Sequence, residues 1–273
     1  MPELPEVETT LRGIEPFVTG RVLTAVNVRE PRLRWPIPSN DLAHLVGQRV
    51  VESVRRAKYI LLFFESGTAV LLHLGMSGSM RVLAPNTDPK KHDHLEFEFD
   101  HQHLVRLNDP RRFGCCLVLS PPAHAHRLLA GLGPEPLSDD FNADYLFRAS
   151  RQKRTPIKNL IMDGHVVVGV GNIYASEALF CAGIRPTMRS ARLSMKRSER
   201  LVDCIKSVLA KAIKAGGTTL NYFTQADGKP GYFRHELLVY ARKGEGCVRC
   251  DTPIKSQVIG QRNTFYCPTC QHF

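Results

Sequence analysis

Near the start of the chain apolar residues recur three and four apart, at Val7, Leu11, Ile14 and Val18, the spacing of one buried helix face. Pro5 fits the first turn of that helix, where a missing N–H costs nothing. Beyond residue 20 the period shortens. Segments 21–29, 50–64, 69–74, 94–99, 103–108 and 115–119 read as strands. In the fourth, Leu95, Phe97 and Phe99 alternate with Glu96, Glu98 and Asp100, which predicts one face on a core and one in water. Many short strands with Gly, Pro and Asp turns between them predict an antiparallel sandwich. GPEPLSDDF at 133–141 interrupts the pattern with prolines and acids and reads as a linker. After it the period is helical, near 142–149, 155–163, 172–181 and 194–215. Residues 216–233 hold four glycines and little apolar period, which predicts a long functional loop. The fold class is therefore α+β. An N-terminal helix and antiparallel β-sandwich occupy 1–132, a linker 133–141, a helical domain 142–237, and a small module 238–273.

Composition narrows the setting. With 273 residues and 43% hydrophobic content the chain can bury one large core or two modest ones. Mean hydropathy is −0.19, and no apolar run approaches the ~20 residues of a membrane span. MPELPEVETT carries acids where a targeting peptide has a basic flank and an apolar stretch. These features predict a soluble cytoplasmic protein that neither spans a membrane nor anchors to one. Net charge is +11, and its distribution says more than its size. Residues 1–147 carry 16 Lys/Arg against 18 Asp/Glu, whereas 148–273 carry 21 against 8. Concentrated positive charge suits a polyanion, since phosphate contacts release condensed counterions.

The eight cysteines fall into two groups. Cys115, Cys116, Cys181 and Cys204 lie among apolar neighbours and read as free core thiols. Cys247-x2-Cys250 and, 16 residues on, Cys267-x2-Cys270 have the two-knuckle spacing of a tetrahedral four-cysteine zinc site. Each pair sits on one tight turn, and the stretch between can return as a β-hairpin. One structural zinc would stabilise a segment too small to own a core. Arg262, in the return strand, is the module's candidate for a DNA contact; on the module alone the better reading is an ordinary exposed arginine.

The N-terminus carries candidate chemistry. Removal of Met1 before a small residue leaves Pro2 with a free secondary amine. An α-amine titrates near about pH 8, so a useful fraction is unprotonated at neutrality. Its attack on a sugar C1′ gives an iminium whose charge acidifies the C2′ proton, and the 3′ phosphate can then leave. Glu3 and Glu6 lie within one turn and can move protons. On these residues alone, a plain helix start is the better explanation, since Pro, Glu and Leu at an N-terminus usually mark no more than that.

MPELPEVETTLRGIEP resembles the start of the bacterial formamidopyrimidine-DNA glycosylases, also called 8-oxoguanine DNA glycosylases. Five further segments match that family in order: RRAKYILL (55–62), HLGMSGSMRVL (73–83), KHDH with NDPRRFG (91–94, 108–114), VGVGNIYASEALFCAGIRP (168–186), and TTLNYF…DGKPGYF with QRNTFYCPTCQ (218–233, 261–271). The likeness spans essentially the whole chain. Leu4 and Val7 set it apart from the endonuclease VIII branch, which begins PEGPEI and prefers oxidised pyrimidines.

The resemblance implies a bifunctional glycosylase and abasic-site lyase acting on double-stranded DNA that contains oxidised purines or abasic sites. It implies Pro2 as Schiff-base nucleophile, Glu3 as general acid/base, Glu6 as a supporting carboxylate, Lys58 for β-elimination and Arg262 for δ-elimination. The glycines of GVGNIYASE belong to a helix–two-turn–helix, whose Asn172 meets phosphate at a helix N-terminus. Lys153, Lys158, His73, His92 and Arg111 match backbone-contact positions, each of which alone reads as a solvated surface residue. Chemistry at C1′ requires flipping the nucleotide out of the stack, and Met76, Arg111 and Phe113 are implied to fill the void. Core packing is the other reading for Met76 and Phe113. The loop around 217–224 would cover the flipped base. Zinc is the one cofactor implied, and monomer is the default state. The rival readings are an endonuclease VIII-like pyrimidine enzyme and a non-catalytic zinc-dependent nucleic-acid-binding protein, for which Pro2, Glu3 and Lys58 would have no use.

Overall fold

The computed structural model describes residues 2–218 and 236–273. They form two compact units: the first runs to Gly131 and takes in 215–218, and the second comprises Leu132–Lys214 and 236–273.

The first unit opens with α1 (Leu4–Ile14), whose predicted stripe is buried throughout: Val7, Leu11, Ile14 and Val18 are each at most 6% exposed. There follow β1 (Leu23–Val28), α2 (Ser39–Ala43), β2 (Val50–Arg56), β3 (Tyr59–Phe64), β4 (Ala69–His73), β5 (Ser79–Leu83), β6 (Asp93–Phe99), β7 (His103–Asn108) and β8 (Cys115–Leu119). Two antiparallel four-stranded sheets result, ordered β1-β6-β7-β5 and β2-β3-β4-β8. One apolar cluster joins α1 to residues of both sheets, Phe97 and Phe99 from one and Ile60, Leu62 and Leu72 from the other. Each buried Å² of apolar area in this cluster contributes about 25 cal/mol to the unit's stability.

Three features depart from the strand reading. The predicted strand 50–64 is a hairpin broken at Ala57–Lys58, with Arg56 paired to Tyr59 and Ala57 at φ 55°. Strand β5 and helix α2 were not predicted. Glu96, expected in water, is 5% exposed. Its carboxylate meets Arg29 Nε at 2.9 Å and Arg106 Nε at 2.7 Å. Arg106 sits directly across the β6–β7 ladder, 1% exposed, and also reaches Asp93 at 3.4 Å. A buried charge is tolerable there because each one is paired and hydrogen-bonded.

The second unit contains α3 (Ala143–Ser150), α4 (Ile157–Met162), α5 (Asn172–Cys181), α6 (Met195–Lys214), β9 (Lys255–Ile259) and β10 (Arg262–Tyr266). Helix α5 packs on α6, α4 and β10, and eight of its ten residues are buried. The stretch 133–141 is held inside this unit: Gly133 N–H donates to Gly164 O at 2.8 Å, and Phe141 is fully buried. Cys181 and Cys204 are not free thiols. Their sulfurs are bonded, stapling the end of α5 to α6 across a Cα–Cα distance of 5.8 Å, which suits a cystine. The free-thiol reading holds for Cys115 and Cys116, both buried, and burial pushes the Cys115 thiol up to about 11. Among the described residues no helix is long and apolar enough to cross a membrane.

Candidate active site and DNA-contacting residues

Glu3 is the N-cap of α1, and Pro2, Glu3 and Glu6 are all buried, the two carboxylates 2% exposed. Glu6 Oε2 accepts the Glu3 N–H at 2.8 Å, half of a capping box that satisfies donors at the open helix end. Its other oxygen, Oε1, accepts the Thr218 N–H at 2.8 Å. Gly217 lies at φ 80°, and a Cβ there would stand 3.2 Å from Glu6 Oε1, so the close approach itself calls for glycine. The rest of the predicted loop, 219–233, lies outside the described residues.

Lys58 occupies the tip of the β2–β3 hairpin. One turn into α1, Glu8 accepts Arg55 Nε at 2.8 Å, which fastens the helix to this hairpin. Burial would raise the Glu8 carboxyl, but bonds from Arg55 and Arg12 hold it below its ordinary value. His73, at the end of β4, is mostly buried and accepts the Gly75 N–H on Nδ1 at 2.9 Å. Burial, then the charges of Lys58 and Arg34, pull its pKa from 6.5 down to about 4. The ring is neutral at physiological pH with its proton on Nε2, a donor suited to phosphate.

Met76 and Phe113 are 39% and 46% exposed, so neither is a core residue. The Arg111 guanidinium lies 4.8 Å over the Phe113 ring, within cation–π range. His92, half-buried at φ 72°, accepts the Asp109 N–H on its carbonyl at 3.1 Å.

In the second unit Lys153 is exposed beyond α3, as a surface cation. Lys158 is not: it is fully buried on α4, donating to Asn172 Oδ1 and, at 2.5 Å, to Thr264 Oγ1. The surface reading of Lys158 fails because its partners come from α5 and β10, far away in sequence. Asn172 is the first residue of α5, capped by Gly171, and donates Nδ2 to Asn263 O at 3.0 Å. Arg262 follows the two-residue β9–β10 turn, Gly260–Gln261, and is exposed.

Tetrahedral Zn–S bonds of about 2.3 Å separate the sulfurs by roughly 3.8 Å. Here Cys247 and Cys270 Sγ are 3.9 Å apart, Cys250 and Cys267 3.5 Å, Cys250 and Cys270 3.4 Å, and all four lie within 4.8 Å of one another. The donor set fits one zinc ion.

A family model described as the formamidopyrimidine-DNA glycosylase N-terminal domain matches residues 1–116; that family's H2TH domain matches 132–224. A zinc finger found in FPG and IleRS matches 244–272. The formamidopyrimidine-DNA glycosylase of Thioalkalivibrio sulfidiphilus is 57% identical over 99% of this chain and 100% of its own. The chain belongs to the formamidopyrimidine-DNA glycosylase family. A solved structure of the MutM (Fpg) protein from Thermus thermophilus is 38% identical with a TM-score of 0.88, covering 99% of this chain and 98% of that one. The Lactococcus lactis Fpg in complex with DNA containing an abasic site is 31% identical with a TM-score of 0.91, over 99% and 100%. This glycosylase thus has the α+β fold and the structural zinc site that its sequence implied.

The zinc module of the glycosylase is less separate than its cysteine spacing suggests. Phe180 of α5 shares an apolar cluster with Val239, Cys247, Ile254, Phe265 and Cys267. Glu177, three residues earlier, was given no role from sequence. It is 3% exposed and accepts the backbone N–H groups of Leu238, Val239 and Tyr240 at 2.8–3.0 Å. Burial raises its pKa despite those three bonds. An acid inside a helix apolar all round was the available signal.

Proposed function

We propose that the glycosylase excises oxidised purines, 8-oxoguanine and formamidopyrimidines, and then cuts the strand at the abasic site through the amine of Pro2. The observation that carries this reading is the buried N-terminus of α1, where Pro2 and Glu3 precede a carboxylate already committed to backbone donors. Once Met1 is removed, the Pro2 amine attacks C1′, the glycosidic bond breaks, and the base leaves with the amine's proton. The C1′–O4′ bond then opens as O4′ takes a proton. The resulting iminium acidifies the C2′ proton; its loss expels the 3′ phosphate, and a second elimination expels the 5′ phosphate. Glu3 serves the proton transfers at the opening sugar. Lys58 assists the first elimination and Arg262 the second, both also holding phosphate. Glu6 keeps the helix start in place rather than touching substrate.

Met76, Arg111 and Phe113 fill the gap left by the flipped nucleotide, with Arg111 reading the partner base. His73 offers its neutral Nε2–H to phosphate, and His92 and Lys153 contribute further backbone contacts. Asn172, at the N-terminus of α5, meets phosphate with the helix dipole behind it. Lys158 adds charge beneath that site and fixes the Asn172 amide. Zinc acts on structure only, holding the hairpin that presents Arg262. The substrate is double-stranded DNA carrying oxidised purines or abasic sites, engaged in the cytoplasm by one copy of the chain.

Borohydride trapping on duplexes carrying 8-oxoguanine or thymine glycol tests the intermediate and the substrate class together. A covalent adduct that forms faster on 8-oxoguanine, and is abolished or greatly reduced by Pro2→Gly or by retention of Met1, is the expected result. Undiminished trapping with Met1 verified in place by mass spectrometry would exclude the Pro2 amine as nucleophile, and faster trapping on thymine glycol would favour the pyrimidine enzyme.

A further inference from the structure

Exposed side chains cannot be aimed by burial; their direction is set by the backbone beneath them. Met76, Arg111 and Phe113 stand on two facing turns, 74–78 and 109–114, and both turns converge on one side chain. Asp109 is fully buried. Its Oδ1 accepts the Ser77 hydroxyl at 2.6 Å, and its Oδ2 accepts the Gly114 N–H at 2.8 Å. Ser77 Oγ in turn accepts the Arg111 N–H at 3.1 Å. The Asp109 carbonyl takes the Arg112 N–H at 3.1 Å and lies 2.9 Å from His94 Nε2. Thus one carboxylate holds the residue beside Met76, closes the turn that carries Phe113, and reaches the Arg111 backbone through a single hydroxyl.

The two turns also interlock sterically. Gly75 lies at φ 62°, and a Cβ there would come within 2.4 Å of Phe113 C and Gly114 N. With backbone against backbone, one turn cannot shift without the other. The donors meeting Asp109, one O–H and one N–H, need two acceptor atoms on one short side chain. Asp supplies both; Asn supplies one acceptor and a competing donor.

We propose that Asp109, acting through Ser77, is the positioning residue for lesion recognition: it locks the Met76 turn and the Arg111–Phe113 turn into a single preformed wedge. A wedge ordered before DNA arrives does not pay that ordering entropy on binding. The proposal rests on the void-filling reading of Met76, Arg111 and Phe113, and it adds two residues to which no role has been given. Neither touches the Pro2 chemistry.

Ser77→Ala removes one buried hydroxyl and little volume, so it tests the link with the fold kept. Single-turnover cleavage is measured on 8-oxoguanine opposite cytosine, on 8-oxoguanine opposite adenine, and on an abasic site opposite cytosine, with thermal unfolding alongside. Ser77→Ala is expected to slow 8-oxoguanine excision roughly threefold to tenfold, the value of one hydrogen bond. It should narrow the preference for cytosine and leave abasic-site cleavage unchanged. Asp109→Asn should lose more in the same pattern. Because Ser77 holds the turns of all three residues, Ser77→Ala should cost less in an Arg111→Ala background than alone, the remainder being its effect on Met76 and Phe113. Full additivity with Arg111→Ala, or equal loss on all three duplexes, overturns the positioning role and leaves the void-filling reading intact. An Arg111→Ala enzyme with unaltered excision and partner-base preference overturns the void-filling reading, and the proposal with it.

Discussion

Glu6 and Thr218 are joined by a 2.8 Å hydrogen bond that ties the first turn of α1 to a residue more than two hundred positions away. The same carboxylate accepts the Glu3 N–H, so both of its oxygens are engaged by buried backbone donors. The backbone at Thr218 and the start of α1 therefore share one acid.

Glu6→Gln preserves shape but replaces one acceptor oxygen with an NH2 group. One of the two N–H donors must then face another donor, and a buried donor left unmatched costs about 1–3 kcal/mol. Chemical denaturation should show a loss in that range, with borohydride trapping slowed because Pro2 is less well placed. Unchanged stability together with unchanged trapping would remove Glu6 from the supporting role.

How much of this was legible in the sequence depends on how local each cause is. The α1 stripe of Val7, Leu11, Ile14 and Val18 follows from helical period alone, and the four-cysteine site from spacing alone. The break at Ala57–Lys58 left no signal, because the turn contains no Gly, Pro or Asn although Ala57 takes a positive φ. Glu96 looked solvent-facing because its neutralising partner, Arg106, arrives from the neighbouring strand. Lys158 looked like a surface cation because Asn172 and Thr264 lie 14 and 106 residues away. The Cys181–Cys204 pairing needed the α5–α6 packing. Function was legible through the combination of motifs, whereas the groups that hold the functional residues, Asp109, Ser77 and Glu177, became visible only in three dimensions.

His73 should set part of the acid sensitivity. In the unfolded chain it takes a proton near pH 6.5, and in the folded chain only near about 4. Between those values the unfolded state binds more protons, so this contribution to stability is complete above pH 6.5 and is lost as pH falls toward 4. An NMR titration should place the His73 midpoint near the lower value, and His73→Gln should flatten the fall in melting temperature over that interval. A midpoint between 6 and 7 would show that the ring is not held neutral.

Zinc loss should reach beyond the four ligands. Phe180 of α5 packs with Cys247, Cys267 and Phe265, and Arg249 lies 4.3 Å over the Phe180 ring. Cys247→Ser is expected to release the metal, open residues 244–272 to limited proteolysis and weaken DNA binding through the hairpin that carries Arg262. The sandwich of the first unit should keep its cooperative unfolding. A variant that retained stoichiometric zinc and full DNA affinity would contradict the assignment of the four cysteines as ligands.

Lys158 offers the sharpest separation between a structural and an electrostatic role. It is wholly buried, its Nζ held by Asn172 Oδ1 and Thr264 Oγ1. Replacing a buried charge with an apolar side chain of similar length is often neutral or stabilising when its partners can find other donors. Lys158→Met should therefore keep the fold, and its melting temperature reports whether Asn172 and Thr264 are satisfied without the ammonium. If Lys158 also lends its charge to a phosphate at the N-terminus of α5, removing it cuts the number of counterions released on binding. The slope of log K against log salt should then fall by about 0.9, the loss of one phosphate neutralisation. Asn172→Ala, which deletes the amide but no charge, should weaken binding while leaving that slope alone. A Lys158→Met protein with an unchanged slope and a lowered melting temperature would make Lys158 a structural tie between α4, α5 and β10, with no electrostatic part in holding DNA.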